Sequence, residues 1–336
     1  MTRTLLPLLV VLAIAAGCGQ QTGLRLENGG KTVPTVPDTT SPAPPSEGSI
    51  SHGVVLGPEA DLAYDDGTVW AAVWAGGPSL LGSLVQIDAT TGSVVGKPRE
   101  LPPSNAPYLL AVGSGSIWLA AGSKIWRVDP LDGHLSGPTG VGGPARALLV
   151  TPNAVWVSVQ EPSGGALVKL STADGSDRGS TPIGKGAGPI TAVPGTVWAV
   201  DPDDGTLSRI APATLRHVGR RIPVQAVGSD PPSQITVYDG SVWIYEGDVV
   251  LRLRPGATAP TQKVTLPSGA PGDMAAGSAG IWVSDGDKLL RIDATSGTIA
   301  ETHTVKGAEL TTVITGSGSV WALDSKHGRL VRLKVE

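Results

Sequence analysis

The side chains best suited to chemistry lie nine or ten residues before a tryptophan that recurs along the chain. They include two carboxylates, an arginine, a tyrosine and an amide, a mixture that could receive a small polar ligand. The carboxylates, with a nearby glutamate, could instead hold a divalent metal ion for catalysis. The candidates are Asp61, Tyr108, Arg146, Gln234, Asp273, Thr311 and Thr312, with Glu309 beside them.

A second set of acidic residues follows the same tryptophans, in loops that we predict to share one face. The run Asp201-Pro-Asp203-Asp204-Gly205 could offer oxygen ligands to Ca²⁺, although it lacks a twelve-residue calcium loop. The alternative is that these are ordinary turn residues on a soluble surface. We therefore predict no required cofactor and leave Ca²⁺ or Mg²⁺ as an alternative. The acidic residues are Glu161, Asp201, Asp203, Asp204, Glu246, Asp248, Asp285, Asp287 and Asp324.

The recurring tryptophans define the elements that must position these side chains. Successive copies are 48, 38, 42, 45, 39 and 39 residues apart, and each copy holds four short strand-like segments separated by turn residues. This period predicts an all-β, seven-bladed propeller with four antiparallel strands per blade. The candidate residues are then expected near one mouth of the central channel. One interpretation is that they bind a ligand there; the alternative is that they only hydrate the channel. The tryptophans are Trp70, Trp118, Trp156, Trp198, Trp243, Trp282 and Trp321.

Short turns fix the pairing between the second and third strands of each blade. Counting outward from Gly122-Ser123 places Trp118 opposite Arg127, and the other copies place Arg252, Arg291, Arg209, Arg332 or Lys169 opposite their tryptophans. Blade 1 has Gln86 at this position. An indole beside a cation on one sheet face contributes about 0.5–1 kcal/mol. We therefore assign these pairs a structural role.

The ends of the chain predict how the ring closes. The last copy supplies an inner strand, a tryptophan strand and a third strand, whereas residues 50–56 precede the first inner strand without a partner. We predict that residues 50–56 complete blade 7 as its outer strand, which removes an exposed sheet edge.

Neither a zinc site nor a nucleophile is indicated by the remaining residues. The five histidines, none on a predicted innermost strand, form no pair with ligand spacing. No catalytic-serine elbow, phosphate loop or dinucleotide fingerprint appears in a strand-to-helix context, so we predict no catalytic residue. The histidines are His52, His134, His217, His303 and His327.

Residues 1–18 have the features of an export signal. A basic residue, Arg3, precedes an apolar run, and the segment ends in Ala15-Ala16-Gly17-Cys18, which resembles a bacterial lipoprotein signal. Cys18, the only cysteine of the chain, is the expected lipidation site; an ordinary secreted protein is the alternative. Residues 19–48 are rich in Pro, Thr and Ser and are expected to be a tether, followed by the propeller over residues 49–336.

The repeated phrase GS[IV]W, followed by a hairpin, LxRID and a TG or DG turn, resembles the virginiamycin B lyase-like and YVTN (YncE-like) propellers. The resemblance covers residues 50–336 and implies the fold. Members of these groups include lyases and binding proteins, so function is not implied. The lyases use a channel-facing histidine and a carboxylate-held metal, and no histidine here matches that position.

These features favour a monomeric, lipid-anchored module on the extracytoplasmic face of the cell membrane that binds an envelope protein or a small polar ligand. The alternative is a metal-dependent lyase or lactonase using Asp61, Asp273 and Glu309 at the channel mouth. Nucleic acid is excluded as a partner, because the net charge is −4 and no run of Lys or Arg exceeds two residues.

Overall fold

A computed structural model describes residues 50–76, 81–224, 232–269, 272–277 and 280–335. The expected signal segment, Cys18 and the expected tether lie outside the described residues. The part of the chain that is described contains 28 strands and no helix, arranged as seven sheets of four antiparallel strands. Accordingly, no helix long and apolar enough to span a membrane occurs among these residues.

The sheets follow one another along the chain, and we number them as blades. The first strand of the chain is β1 (Ile50–Val55). Blade 1 contains β2 (Ala60–Asp65), β3 (Thr68–Trp74), β4 (Gly82–Asp88) and β5 (Arg99–Leu101). Blade 2 contains β6 (Leu109–Gly113), β7 (Ser116–Ala121), β8 (Lys124–Val128) and β9 (Leu135–Gly140). Blade 3 contains β10 (Ala145–Thr151), β11 (Ala154–Glu161), β12 (Gly164–Leu170) and β13 (Asp177–Gly184).

The remaining blades have the same order. Blade 4 contains β14 (Ile190–Val193), β15 (Thr196–Asp201), β16 (Thr206–Ile210) and β17 (Ile222–Pro223). Blade 5 contains β18 (Pro232–Tyr238), β19 (Ser241–Glu246), β20 (Val249–Leu253) and β21 (Gln262–Thr265). Blade 6 contains β22 (Met274–Gly277), β23 (Gly280–Asp285), β24 (Lys288–Asp293) and β25 (Thr298–Thr304). Blade 7 contains β26 (Leu310–Gly316), β27 (Ser319–Asp324), β28 (Arg329–Lys334) and β1.

The first strand of each blade contacts the first strand of the next, and β26 contacts β2, so the seven blades form a closed ring around a channel. Seven apolar clusters fill the ring, and each combines side chains of two adjacent blades. The core therefore lies between the blades, where burial of apolar surface contributes about 25 cal/mol per Å².

The predicted closure of the ring is confirmed. Strand β1 pairs antiparallel with β28, with Ile50 opposite Leu333 and Ser51 opposite Arg332. The last blade is thus assembled from both ends of the described chain, and β28 has a partner along its outer edge.

The short turn predicted at Gly122-Ser123 is confirmed as well, and the turns between third and fourth strands are capped by aspartates. Gly122 has a φ of 62°, as the first loop position of a type II′ hairpin requires. In the Asp-x-x-x-Gly turn of blade 1, the Asp88 carboxylate accepts backbone hydrogen bonds from Thr90 at 3.0 Å and Thr91 at 2.7 Å. These bonds lower the pKa of Asp88, because they favour the ionised form.

The tryptophan register is confirmed in every blade. The residues that lie opposite the tryptophans are the predicted ones, namely Gln86, Arg127, Lys169, Arg209, Arg252, Arg291 and Arg332. A cation covers the indole ring in five blades, at 4.8 Å for Arg332 on Trp321 and 5.1 Å for Arg252 on Trp243. In blade 1 the register places the neutral Gln86 opposite Trp70, and the cation is Arg99 of β5, 5.8 Å from the Trp70 ring.

The same cations also connect neighbouring blades, which the sequence did not indicate. Arg127 donates to the carbonyl of Ala173 at 2.9 Å, and Arg332 donates to the carbonyl of Thr90 at 2.7 Å. Each acceptor lies in the turn between the third and fourth strands of the next blade. Lys169 makes the same contact with Pro212 at 2.8 Å, so the repeated cation stabilises the ring as well as its own blade.

Blade 7, which follows blade 6, has no turn between its third and fourth strands, because β28 and β1 come from opposite ends of the described chain. Arg291 of blade 6 donates to Glu301 on its own outer strand at 2.8 Å.

Candidate ligand site at the channel mouth

The inner strands all begin on the face that also carries the turns between second and third strands, and we call this the mouth face. The strands alternate in direction within a blade, so these two features are on the same side of the ring. Two adjoining cavities open here, and they share Asp61 and Leu109.

The first cavity has a volume of about 410 Å³, within the range of small-molecule sites. It brings together three of the predicted residues, Asp61, Arg146 and Gln234, from blades 1, 3 and 5. Its lining also includes the apolar residues Leu109, Leu110, Ala147, Leu148, Ala187, Pro189, Ile190, Pro202 and Pro232.

Arg146 and Gln234 are two side chains of this cavity that are available to a ligand. Arg146 is exposed, and Gln234 is partly exposed. Within the described ranges, neither side chain has a hydrogen-bond or ion-pair partner. A guanidinium offers five N–H donors, so Arg146 is suited to a carboxylate or another anion.

The second cavity, of about 530 Å³, is more acidic. It contains Asp61 and Glu309 together with Glu59, and Lys326 is the cation in its lining. Thr311 and Thr312 also contribute to it, and the Thr312 hydroxyl donates to the carbonyl of Ala60 at 3.4 Å.

Tyr108 lines the second cavity but is only 2% exposed. Its hydroxyl donates to the carbonyl of Pro102 at 2.6 Å, and its ring packs in the cluster between blades 1 and 2. The phenol therefore contributes to packing, and its burial raises its pKa.

Asp61 and Asp273 make equivalent contacts across two blade boundaries. Asp61 accepts from the backbone N–H of Leu62 at 2.9 Å and, across the boundary, of Leu110 at 2.6 Å. Asp273 accepts from Met274 at 2.7 Å and from Val313 of blade 7 at 2.8 Å. Each carboxylate therefore connects the inner strands of adjacent blades.

No cation accompanies either carboxylate within the described part of the chain. Burial raises the pKa of Asp61 to about 6 and that of Asp273 to about 7, although the amide hydrogen bonds act in the opposite direction. The charge of Asp61 also contributes to the raised pKa of Asp273.

The structure places Asp61 and Glu309 in one cavity, whereas Asp273 lines neither. No group of three His, Cys, Asp or Glu side chains placed to share a metal ion occurs in the described ranges. Asp201, the first residue of the suggested calcium run, accepts from the N–H of Lys185 and Gly186, each at 2.9 Å.

Four of the acidic loop residues have a structural role that the sequence interpretation missed. Asp201, Glu246, Asp285 and Asp324 are fully buried at the ends of second strands, so their interpretation as surface turn residues is wrong. Asp285 accepts from the N–H of Ser268 at 2.9 Å. The signal was present in the sequence, because each acid lies three residues after the tryptophan of blades 4 to 7.

Asp324 shows the same arrangement in blade 7. It accepts from the N–H of Glu309 at 3.1 Å and lies 2.7 Å from Nδ1 of His327 and 3.0 Å from Nε of Arg329. These acids thus hold the segments that lead into the inner strands of the same blades, and those segments form the rim of the mouth.

The histidines lie where the sequence predicted. No innermost strand in the described ranges carries one. His303 is on the outer strand β25, where its Nε2 lies 3.2 Å from Glu301 and its ring centroid 5.8 Å from that of Trp282. His217 contacts the carbonyl of Pro182 at 2.9 Å.

A further cavity, of about 460 Å³, opens on the opposite face between blades 3 and 4. Pro152, Asn153, Pro194 and Pro212 contribute to its lining, above Trp156. Lys169, its one cation, already donates to Pro212 and covers the Trp156 ring at 5.6 Å. This cavity therefore offers no free cation among the described residues, although the exposed amide of Asn153 lies in its lining.

Neither a family model nor a curated protein sequence matches this chain. Solved structures do resemble it. BamB from Moraxella catarrhalis aligns with a TM-score of 0.60 at 16% identity, over 84% of this chain and 86% of BamB. A catalytically inactive virginiamycin B lyase from Staphylococcus aureus, solved with quinupristin, aligns with a TM-score of 0.69 at 17% identity, over 86% of this chain and 99% of the lyase.

The propeller domain of Cps50 (Swd1) from Myceliophteria thermophila aligns with a TM-score of 0.69 at 11% identity, over 86% of this chain and all of the domain. The shared feature is the fold. The resemblance to virginiamycin B lyase-like propellers is thus confirmed for architecture, and residue identities this low carry no site from one protein to another.

Proposed function

We propose that this chain is a binding module whose mouth face receives a partner protein or a small polar ligand. The observation that supports the proposal is the pair of adjoining cavities, where Arg146 and Gln234 project with no intramolecular partner in the described ranges. A closed ring of seven blades is a rigid frame, and it holds these side chains in fixed positions. The fold of this chain aligns with BamB and with the Cps50 propeller domain.

The proposal includes attachment to the extracytoplasmic face of the cell membrane through a lipid on Cys18. Support comes from the sequence of residues 1–18 and from the use of a single cysteine. The expected tether would let the propeller move relative to the membrane surface as a monomer. Metabolic labelling with a clickable fatty acid tests the anchor: Cys18→Ser should abolish labelling and release the protein from membranes, and unchanged membrane retention would contradict it.

Binding at the mouth is tested by reversible cross-linking in cells that express the full chain, followed by purification and mass spectrometry. The double variant Arg146→Ala, Gln234→Ala should recover at least tenfold less of a specific partner or ligand than wild type does. Asn153→Ala, on the opposite face, should retain it. Equal recovery with all three proteins would contradict the proposal.

A further inference from the structure

The first cavity contains two opposite charges that do not neutralise each other. Asp61 and Arg146 both line it, yet no ion pair forms between them at 4.0 Å or less. Gln234 lies in the same lining and has an amide that can donate and accept. A cavity with separate positive and negative groups is complementary to a ligand with the opposite arrangement of charges.

The negative side of the cavity has acceptor capacity left. A carboxylate has about four lone-pair positions, and the N–H groups of Leu62 and Leu110 occupy two on Asp61. Asp61 has no cationic partner in the described ranges, and part of its surface is open to the channel. A ligand ammonium beside it would supply the missing positive charge in a partly desolvated place, where such a bond is strong.

The positive side is equally available. Arg146 is the second residue of β10, the inner strand of blade 3. It is exposed, and no acidic side chain that the structure describes forms an ion pair with it. Its planar guanidinium suits bidentate contact with a carboxylate. Leu109, Ala147 and Pro189 line the same cavity and form an apolar wall for an aliphatic side chain.

We propose that the first cavity binds zwitterionic ligands of the amino-acid and short-peptide class, with the carboxylate on Arg146 and the ammonium on Asp61. In a short peptide, Gln234 would form a hydrogen bond with the peptide amide between the two charged termini. The ligand side chain would pack on the apolar wall. This inference rests on the proposed binding function and specifies the ligand chemistry of the same site.

The test is titration calorimetry of the full-length chain in detergent with leucine, Gly-Leu and Gly-Gly-Leu. At least one of these should bind saturably. N-acetylation and C-terminal amidation of that ligand should each weaken binding at least tenfold, because each modification removes one charge. Arg146→Gln should weaken binding of the unmodified ligand at least tenfold but have little further effect on the amide.

Arg178→Gln, an exposed arginine on the outer strand β13, is the matched control and should bind as wild type does. Because Asp61 also connects two blades, the modified ligands rather than an Asp61 variant test its side of the site. No saturable binding, equal binding of blocked and free ligands, or an unaffected Arg146→Gln would overturn the inference. If cross-linking at the mouth still depends on Arg146 and Gln234 in that case, the zwitterion inference fails and the binding function stands. If cross-linking does not depend on them either, both the inference and the proposed function fail.

Discussion

At the residue scale, Asp273 is the clearest case of a side chain that has both a structural position and an altered acidity. Its carboxylate connects blades 6 and 7 through the N–H of Val313, and burial raises its pKa to about 7. A folded-state pKa above the unfolded value means that ionisation opposes folding. The associated stability is complete below the unfolded value of 3.8 and is lost as the pH rises through about 7.

We therefore predict that Asp273 and Asp61 make the propeller less stable at pH 8 than at pH 5. Asp273→Asn removes one titration, so the difference in melting temperature between this variant and wild type should shift in favour of the variant as the pH rises. The expected contribution is on the order of 1 kcal/mol, because channel water screens part of the effect. Thermal melts at pH 5, 6, 7 and 8 test this, and parallel pH curves for the two proteins would contradict it.

At the scale of elements, the repeated cation connects adjacent blades outside the apolar clusters. Arg252 is buried, donates to Ser241 at 3.0 Å and to the carbonyl of Ala294 in blade 6, and covers Trp243. Its loss leaves two buried acceptors without a donor.

Arg252→Gln is accordingly expected to destabilise the protein by about 2 kcal/mol, a few degrees in melting temperature. Arg254→Gln is the control, since Arg254 is exposed and its side chain has no hydrogen bond or ion pair with another described residue. Similar melting temperatures for both variants would show that the cation contributes nothing beyond an exposed arginine.

The buried acid at the end of a second strand gives a separate prediction. Asp201 accepts from the N–H groups of Lys185, Gly186, Asp203 and Asp204, at 2.9 to 3.2 Å. Asp201→Ala should cost about 3 kcal/mol and increase amide hydrogen exchange at residues 185–186. Asp203→Ala, which removes an exposed carboxylate two residues away, should change neither quantity. Unchanged exchange in Asp201→Ala would refute the role assigned to this acid.

Pairing within a blade could be predicted from sequence because it depends on local turns. Gly122-Ser123 fixes the register of β7 and β8, and from it follows that Trp118 lies opposite Arg127. The partner of Arg127 in the next blade, the carbonyl of Ala173, could not be predicted, because it depends on how two sheets pack. The same holds for Tyr108, whose position near the mouth was correct but whose hydroxyl is engaged by Pro102.

The candidate site was predictable in its inner-strand residues and not in its walls. Asp61, Arg146 and Gln234 lie nine or ten residues before the repeated tryptophan, so the period alone brings them to one mouth. Pro189 and Pro202 belong to loops whose lengths differ between blades, and their approach to the cavity depends on tertiary packing.

At the scale of the whole molecule, closure of the ring by β1 joins distant sequence positions, such as Ile50 and Leu333. Deletion of residues 1–56 should expose the edge of β28 and lower the melting temperature sharply, whereas deletion of residues 1–48 leaves every described strand in place and should have little effect. Equal melting temperatures for the two truncated proteins would contradict this role of β1.

The central claim is that the mouth face is the binding surface, and site-specific photo-cross-linking in intact cells tests it most directly. A photoreactive amino acid at Lys326, in the second cavity, or at Asn153, on the opposite face, reports which surface meets a partner. We predict a specific adduct at position 326 that disappears when Arg146→Ala and Gln234→Ala are introduced, and none at position 153. Adducts at position 153 alone, or adducts at 326 that ignore those substitutions, would contradict the account.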